Sequence, residues 1–187
     1  TSSSRISDAK PPVSLETGGI WEGQAMLDFL RKKKTEKPAL SALWEETDED
    51  RFVTALSARV AEKCAYGEDL AALSPAERVF YLAQLCEEEV NNGGFDQLLF
   101  NAGFDLRELP EAFRAIGAPR TGDICARALA ALGGEVPEDR EARREVLASW
   151  EGPPTELGAC DEAFLRYEED LAALNAAYVR AHREDFT

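Results

Sequence analysis

The stretch from residue 74 to residue 101 reads SPAERVFYLAQLCEEEVNNGGFDQLLFN. Ser74 and Glu77 form a helix start signal, because a serine cap followed by proline, with a glutamate three residues later, closes a capping box. Apolar residues then recur every three to four positions, which predicts one buried helix face. The run Asn91-Asn92-Gly93-Gly94 tolerates left-handed backbone and ends this helix, and a short helix is expected over residues 95–101.

Similar signals recur outward from this stretch, and no alternating strand pattern of useful length interrupts them. We therefore predict an all-α fold, a single compact domain of about eight helices with an N-terminal arm. The remaining helices are expected over residues 21–34, 47–67, 110–116, 121–132, 137–150 and 161–183. The second of these has Thr47 and Asp50 as a capping-box pair, and Pro137 opens the fifth.

The last predicted helix carries an apolar seam of helical period, in which residues 164, 167, 171, 174 and 178 are spaced 3, 4, 3 and 4 apart. We expect this helix to share one core with the aromatic residues of the opening stretch. The expected core consists of Phe80, Phe95, Phe100, Phe164, Leu171 and Tyr178.

Charge is the strongest global signal, with 36 acidic and 21 basic side chains in 187 residues and a net charge of −15. Residues 1–40 hold 5 acidic and 7 basic side chains, so residues 41–187 hold 31 acidic and 14 basic ones, a net charge of −17. Such a body repels nucleic acid and anionic lipid and attracts a cationic partner. We divide the chain accordingly into an arm with a basic first helix, residues 1–40, and an acidic helical domain, residues 41–187.

The histidine and cysteine patterns that metal sites and nucleophilic catalysis commonly use are missing from the sequence. The single histidine, His182, excludes the usual di-iron site of helical bundles, and no His or Cys ligands lie at zinc spacing. We expect all four cysteines to be reduced thiols and Cys64, Cys86 and Cys125, which fall at apolar helical positions, to be buried, with a catalytic thiol paired to His182 as the alternative. Glycine-rich phosphate loops are absent as well. We therefore expect no enzyme, no metal and no cofactor. The four cysteines of the chain are Cys64, Cys86, Cys125 and Cys160.

Targeting and membrane signals are also missing from the sequence. No apolar run approaches the roughly 18–20 residues of a membrane helix, and the first residues lack a basic-then-apolar signal pattern. We therefore expect a cytoplasmic protein that does not bind membranes.

The stretch around the paired glycines resembles the DNA mimic protein 19 family, a domain-of-unknown-function family in which a helix runs into Asn-Gly-Gly-Phe-x-Gln with a later Asn. The preceding helix over residues 74–84, the turn at residues 115–118 and a closing helix ending in Tyr-x-x-x-His extend the likeness over residues 47–182. The resemblance implies an all-helical domain with no established enzymatic activity and a structural role for the glycine motif. The motif residues are Asn92, Gly93, Gly94, Phe95, Gln97 and Asn101.

Two functions remain open at this point. The first is a non-enzymatic acidic protein-interaction domain, for which a homodimer also stays open. The second, implied by one member of the family, is a DNA mimic that presents carboxylates in place of phosphates to a transcription regulator or another basic DNA-binding protein.

Both functions would use an acidic partner surface. Helical carboxylates at positions i, i+3 and i+4 lie roughly 5–6 Å apart, comparable to neighbouring phosphates. Basic residues such as Arg51, Arg140, Arg143 and Arg166 interrupt this surface, which weakens the mimic. The candidate carboxylates are Glu45, Glu46, Asp48, Glu49, Asp50, Glu87, Glu88, Glu89, Glu162, Glu168, Glu169 and Asp170.

Overall fold

Residues 39–133 and 135–187 are described by a computed structural model, and within them the regular structure consists of eight α-helices and short 3-10 turns, with no strand. The prediction of an all-α fold is therefore confirmed. The predicted helix over residues 21–34 lies outside the described residues. In chain order the helices are α1 (Leu40–Leu43), α2 (Glu49–Lys63), α3 (Pro75–Asn101), α4 (Leu109–Ile116), α5 (Pro119–Ala130), α6 (Arg140–Ala148), α7 (Thr155–Phe164) and α8 (Leu171–Ala181).

Helix α3 begins with the predicted capping box. The Ser74 hydroxyl accepts a hydrogen bond from the Glu77 amide at 3.1 Å, and the Glu77 carboxylate accepts one from the Ser74 amide at 2.9 Å. Glu77 is only 1% exposed, and its charge is balanced by the Lys63 ammonium at 2.8 Å. A buried charge needs such a partner, so this pair fixes the end of α2 against the start of α3.

Helix α3 is the element around which the others pack. It contacts α2, α4, α6, α7 and α8, while α4 and α7 both pack on α5 and α8 packs on α2. The centre of the core is aromatic. Phe164 meets Phe95 and Phe113 edge-to-face, with ring centroids 5.8 Å and 6.0 Å apart. Such pairs add to the hydrophobic gain of burial.

One predicted core residue is wrong: Phe100 is 49% exposed. Phe95, Leu98 and Leu99 form the inward stripe at i, i+3 and i+4, and Phe100 falls beside that stripe. Its ring is covered from outside instead, by the Arg144 guanidinium 4.3 Å from the ring centroid. The other five predicted core side chains are buried or packed against the core.

The predicted closing helix over residues 161–183 is also wrong, because it is two helices. Helix α7 ends at Phe164 and α8 begins at Leu171. Between them Tyr167 adopts φ +46°, which stops a right-handed helix, and Asp170 caps α8 by accepting from the Ala173 amide at 3.0 Å.

Two helix starts differ from their predicted positions because aspartates act as the caps. Asp48, not Thr47, accepts from the Arg51 amide at 3.0 Å and begins α2. Asp139 accepts from the Ala142 amide at 2.8 Å, so α6 begins three residues after Pro137. Aspartate is as strong a cap as serine and stronger than threonine, so Asp48 and Asp139 set the helix starts.

Arg143 is the largest departure from its predicted place at the acidic surface, since it is 0% exposed. Its guanidinium donates to the carbonyl oxygens of Leu99 at 2.7 Å, of Ala102, and of Pro137 at 3.1 Å. Burial lowers the pKa of this side chain. The cation therefore satisfies the free carbonyls at the C-terminal end of α3, where the helix dipole favours positive charge.

In the part of the chain that the structure describes, no helix combines the length and the apolar character needed to span a bilayer.

Candidate functional site

The paired glycines break α3 without ending its course along the core. Gly93 has φ −162° and ψ 21°, and Gly94 has φ 74° and ψ −175°, a region that residues with a side chain rarely occupy. The helix resumes at Phe95, whose amide donates to the Asp161 carboxylate of α7 at 2.7 Å. A Cβ atom on Gly94 would lie 2.7 Å from an oxygen of that carboxylate. The break therefore positions α7 against α3.

Glu89 collects the amide side chains of the motif. One oxygen of its carboxylate accepts from Gln97 Nε2 at 2.8 Å and from Asn101 Nδ2 at 2.9 Å. The contact bridges the glycine break, with Glu89 on one side and both amides on the other. Gly93 is tightly enclosed as well, because a Cβ there would lie 2.9 Å from the Cβ of Gln97. Asn92 is exposed beside this cluster.

A second polar cluster joins α3 to the turn between α7 and α8. The Tyr167 hydroxyl donates to Glu87 at 3.1 Å and accepts from Asn91 Nδ2 at 2.6 Å. Partial burial raises the pKa of Glu87; the nearby charge of Asp50 adds to this, and the hydrogen bond from Tyr167 acts in the opposite direction. Glu87 thus belongs to the packing of the bundle as well as to its surface.

Most of the candidate carboxylates are used inside the chain. Asp48 and Asp170 cap α2 and α8, and Glu169 accepts from the Thr121 amide and hydroxyl, both at 2.8 Å, near the start of α5. Glu46 accepts from two backbone amides at 2.9 Å, and Glu168 pairs with Arg120 at 3.2 Å. With Glu87 and Glu89, these account for seven of the twelve candidates. The hydrogen bonds and ion pairs within the chain compete with a partner for these carboxylates, weakly where the pair is exposed, as at Glu168.

The other five candidates are exposed and have no side-chain hydrogen bond or ion pair within residues 39–133 and 135–187. We call them the free carboxylates. Three lie at or just before the start of α2, one lies on α3 and one on α7. They are Glu45, Glu49, Asp50, Glu88 and Glu162.

Two of the free carboxylates, Asp50 and Glu88, line an open groove together with Glu87. We call it the α2–α3 groove, because one face of each helix forms a wall. Tyr66 stands at its rim with 72% of its surface exposed. The groove has no signal in the sequence, since a space between two helices has no pattern along the chain. Its lining is Asp50, Val53, Thr54, Ser57, Ala58, Ala61, Tyr66, Gln84, Glu87, Glu88, Asn91 and Ala172.

His182 and the four cysteines, the candidates for catalysis, lie in surroundings that do not favour a reactive side chain. The His182 ring nitrogen Nδ1 lies 2.8 Å from the Tyr178 carbonyl oxygen, and the two rings are in contact, with centroids 4.2 Å apart and planes tilted by 35°. All four cysteines are buried, and burial raises the pKa of Cys86 and of Cys160, which disfavours the reactive thiolate. Among the described residues, no group of three His, Cys, Asp or Glu side chains is placed to share a metal ion.

Comparison with known proteins identifies a family. A family model described as DMP19-like protein matches residues 71–182, which is more than half of the chain. No curated protein and no solved structure matches the chain. The matched residues contain α3 to α8 and therefore the glycine break, the Glu89 cluster and the Tyr167 turn. The chain belongs to the DMP19-like protein family.

Proposed function

We propose that this chain is a non-enzymatic protein-recognition domain that binds a basic protein surface. The observation that carries the proposal is a group of four free carboxylates, Glu45, Glu49, Asp50 and Glu88, on a body with a net charge of −17. The fifth free carboxylate, Glu162 on α7, is not part of this group. The negative charge of a carboxylate that has no hydrogen bond or ion pair within the chain is not compensated by the protein. Such a carboxylate attracts cationic surfaces and accelerates their association.

The position of these carboxylates supports the proposal further. Glu49 and Asp50 lie in the first turn of α2, Glu45 lies four residues before this helix begins, and Glu88 lies on the wall of α3 that lines the groove. Acidic residues in the first turn stabilise a helix modestly, by roughly 0.3–1 kcal/mol each. That small gain does not require so many carboxylates in one place, which leaves contact with a cationic partner as their proposed use.

The second candidate function is DNA mimicry, favoured by membership of the DMP19-like protein family. In this case the free carboxylates would stand in for phosphates on the DNA-binding surface of a transcription regulator or another basic DNA-binding protein. The internal use of seven candidate carboxylates weighs against a continuous row of phosphate-like charges. We therefore place mimicry second.

The proposal is tested by capturing partners on the immobilised protein from a lysate of the cells that produce it. We compare the wild type with the triple variant Glu45→Lys, Glu49→Lys and Asp50→Lys. The wild type should retain a basic protein that elutes as salt rises to about 0.5 M, because salt screens exposed charges. The triple variant should retain at least about tenfold less of it.

A matched triple variant controls for net charge. Glu145→Lys, Glu151→Lys and Glu162→Lys change three other exposed carboxylates without an internal side-chain partner, and so alter the total charge by the same amount. This control should retain the partner to within about threefold of the wild type. Equal losses in both triple variants would contradict a localised binding surface.

Duplex DNA separates the two candidate functions. If the protein is a mimic, the captured partner binds DNA, and the duplex displaces this protein from it. A partner that binds this protein and DNA at the same time would rule out mimicry and leave protein recognition as the function.

A further inference from the structure

We infer that the α2–α3 groove docks a helix of the basic partner, with arginine or lysine side chains lying between Asp50 and Glu88. This inference rests on the proposed function and names the site and the partner's chemistry. Three features of the groove support it: its shape, its charge and the distribution of that charge along its length.

The shape fits a helix because each wall is one face of a helix. The lining residues of α2 fall at positions 50, 53, 54, 57, 58 and 61, and those of α3 at 84, 87, 88 and 91, both with helical spacing. At 1.5 Å per residue the α2 wall is about 16 Å long, or three turns. The α2 wall carries small side chains such as Ser57 and Ala61, which allow another helix to approach closely.

The charge of the groove is one-sided. Its lining includes three carboxylates and, among the described residues, no lysine or arginine. The raised pKa of Glu87 follows from partial burial and from the negative charge of Asp50 nearby. A guanidinium or ammonium group placed there would relieve this repulsion, because an opposite charge favours the ionised carboxylate.

The carboxylates lie towards one end of the groove. Helices α2 and α3 run antiparallel, since Lys63 at the end of α2 reaches Glu77 at the start of α3. Asp50, in the first turn of α2, therefore lies at the opposite end from Tyr66, which follows α2. The fitting partner is a helix with cations near one end and an apolar or cationic side chain two to three turns away, where the Tyr66 ring can receive it.

The probe for this inference is a fluorescein-labelled helical peptide of about four turns with two arginines near one end and leucines along the same face. Binding to the full chain is measured by fluorescence anisotropy. Glu88→Lys reverses a groove charge, and Ser57→Trp fills the groove from its α2 wall without changing charge. Each should raise the Kd at least about tenfold.

Matched variants outside the groove separate its contribution from general electrostatics. Glu162→Lys makes the same charge change on α7, and Ser149→Trp adds the same indole after α6. Both should leave the Kd within about threefold of the wild type. Thermal denaturation of each variant identifies any change that comes from unfolding, and Glu88→Lys gives the test on an exposed position if Ser57→Trp fails to fold.

Glu88→Lys and Glu162→Lys could weaken peptide binding equally while Ser57→Trp has no effect. That result would overturn the groove as the docking site and leave the proposed function intact. The same holds if the wild type captures a basic protein and ignores the peptide. If it binds neither the peptide nor any basic protein, the proposed function fails together with the groove.

Discussion

Gly94→Val is expected to lower the free energy of unfolding by about 3–4 kcal/mol. Gly94 has φ 74° and ψ −175°, which only glycine adopts readily, and a Cβ atom would lie 2.7 Å from the Asp161 carboxylate. The clash would displace the carboxylate that accepts from the Phe95 amide. Denaturant unfolding followed by circular dichroism measures the loss, and the melting temperature should fall by about 10 °C.

Gly133→Val is the matched control, because Gly133 also has a positive φ, of 77°, and has no atom within 4 Å of an added Cβ. Gly133→Val should lower the free energy of unfolding by about 1–2 kcal/mol, because only the positive φ disfavours a residue with a side chain there. Equal losses at both positions would show that the contact with Asp161 contributes nothing, and that the break does not hold α7 in place.

Arg143→Leu is expected to cost about 3 kcal/mol by the same measurement. The substitution removes hydrogen-bond donors from four backbone carbonyl oxygens, those of Leu99, Ala102, Pro137 and Glu138, and the bonds to Leu99 and Ala102 are buried. Removing the buried charge also removes its desolvation cost, so the loss is smaller than the sum of the hydrogen bonds. The free energy of unfolding of Arg143→Lys should lie between those of Arg143→Leu and the wild type, since an ammonium lacks the planar fork of donors of a guanidinium.

Arg140→Leu provides the comparison within α6. Arg140 is exposed and only approaches Glu141, at 3.7 Å, so the free energy of unfolding should change by no more than about 0.5 kcal/mol. A similar loss for Arg140→Leu and Arg143→Leu would contradict the role of Arg143 as the cap of α3.

The parts of the fold that the sequence predicted depend on neighbouring residues. The Ser74 cap and the glycine break are local, because a cap bonds within one turn and a glycine tolerates its own φ. The split between α7 and α8 escaped the periodicity because Phe164 and Leu171 are seven residues apart. Seven residues make about two turns of a helix. The apolar spacing therefore continues across Tyr167 as in one unbroken helix, although the positive φ of Tyr167 ends the helical backbone.

The surface escaped prediction for a different reason. From the sequence alone, a charged side chain is predicted to be exposed to solvent. Whether it instead bonds to the backbone depends on which backbone groups the fold brings near it. Arg143 turns inward because the open carbonyls at the end of α3 pack against α6. Glu169 is occupied because the start of α5 lies beside the turn before α8. Only the tertiary arrangement separates such residues from free ones such as Glu88.

The central claim, that the free carboxylates near the start of α2 carry partner binding, is tested most directly by titration calorimetry. The captured partner is titrated with the wild type and with the two triple lysine variants, at about 0.05 M and 0.5 M salt. The account predicts that the variant at residues 45, 49 and 50 raises the Kd about 100-fold at low salt, and that the variant at residues 145, 151 and 162 raises it less than about threefold. Equal Kd values for the two variants, unchanged by salt, would contradict it.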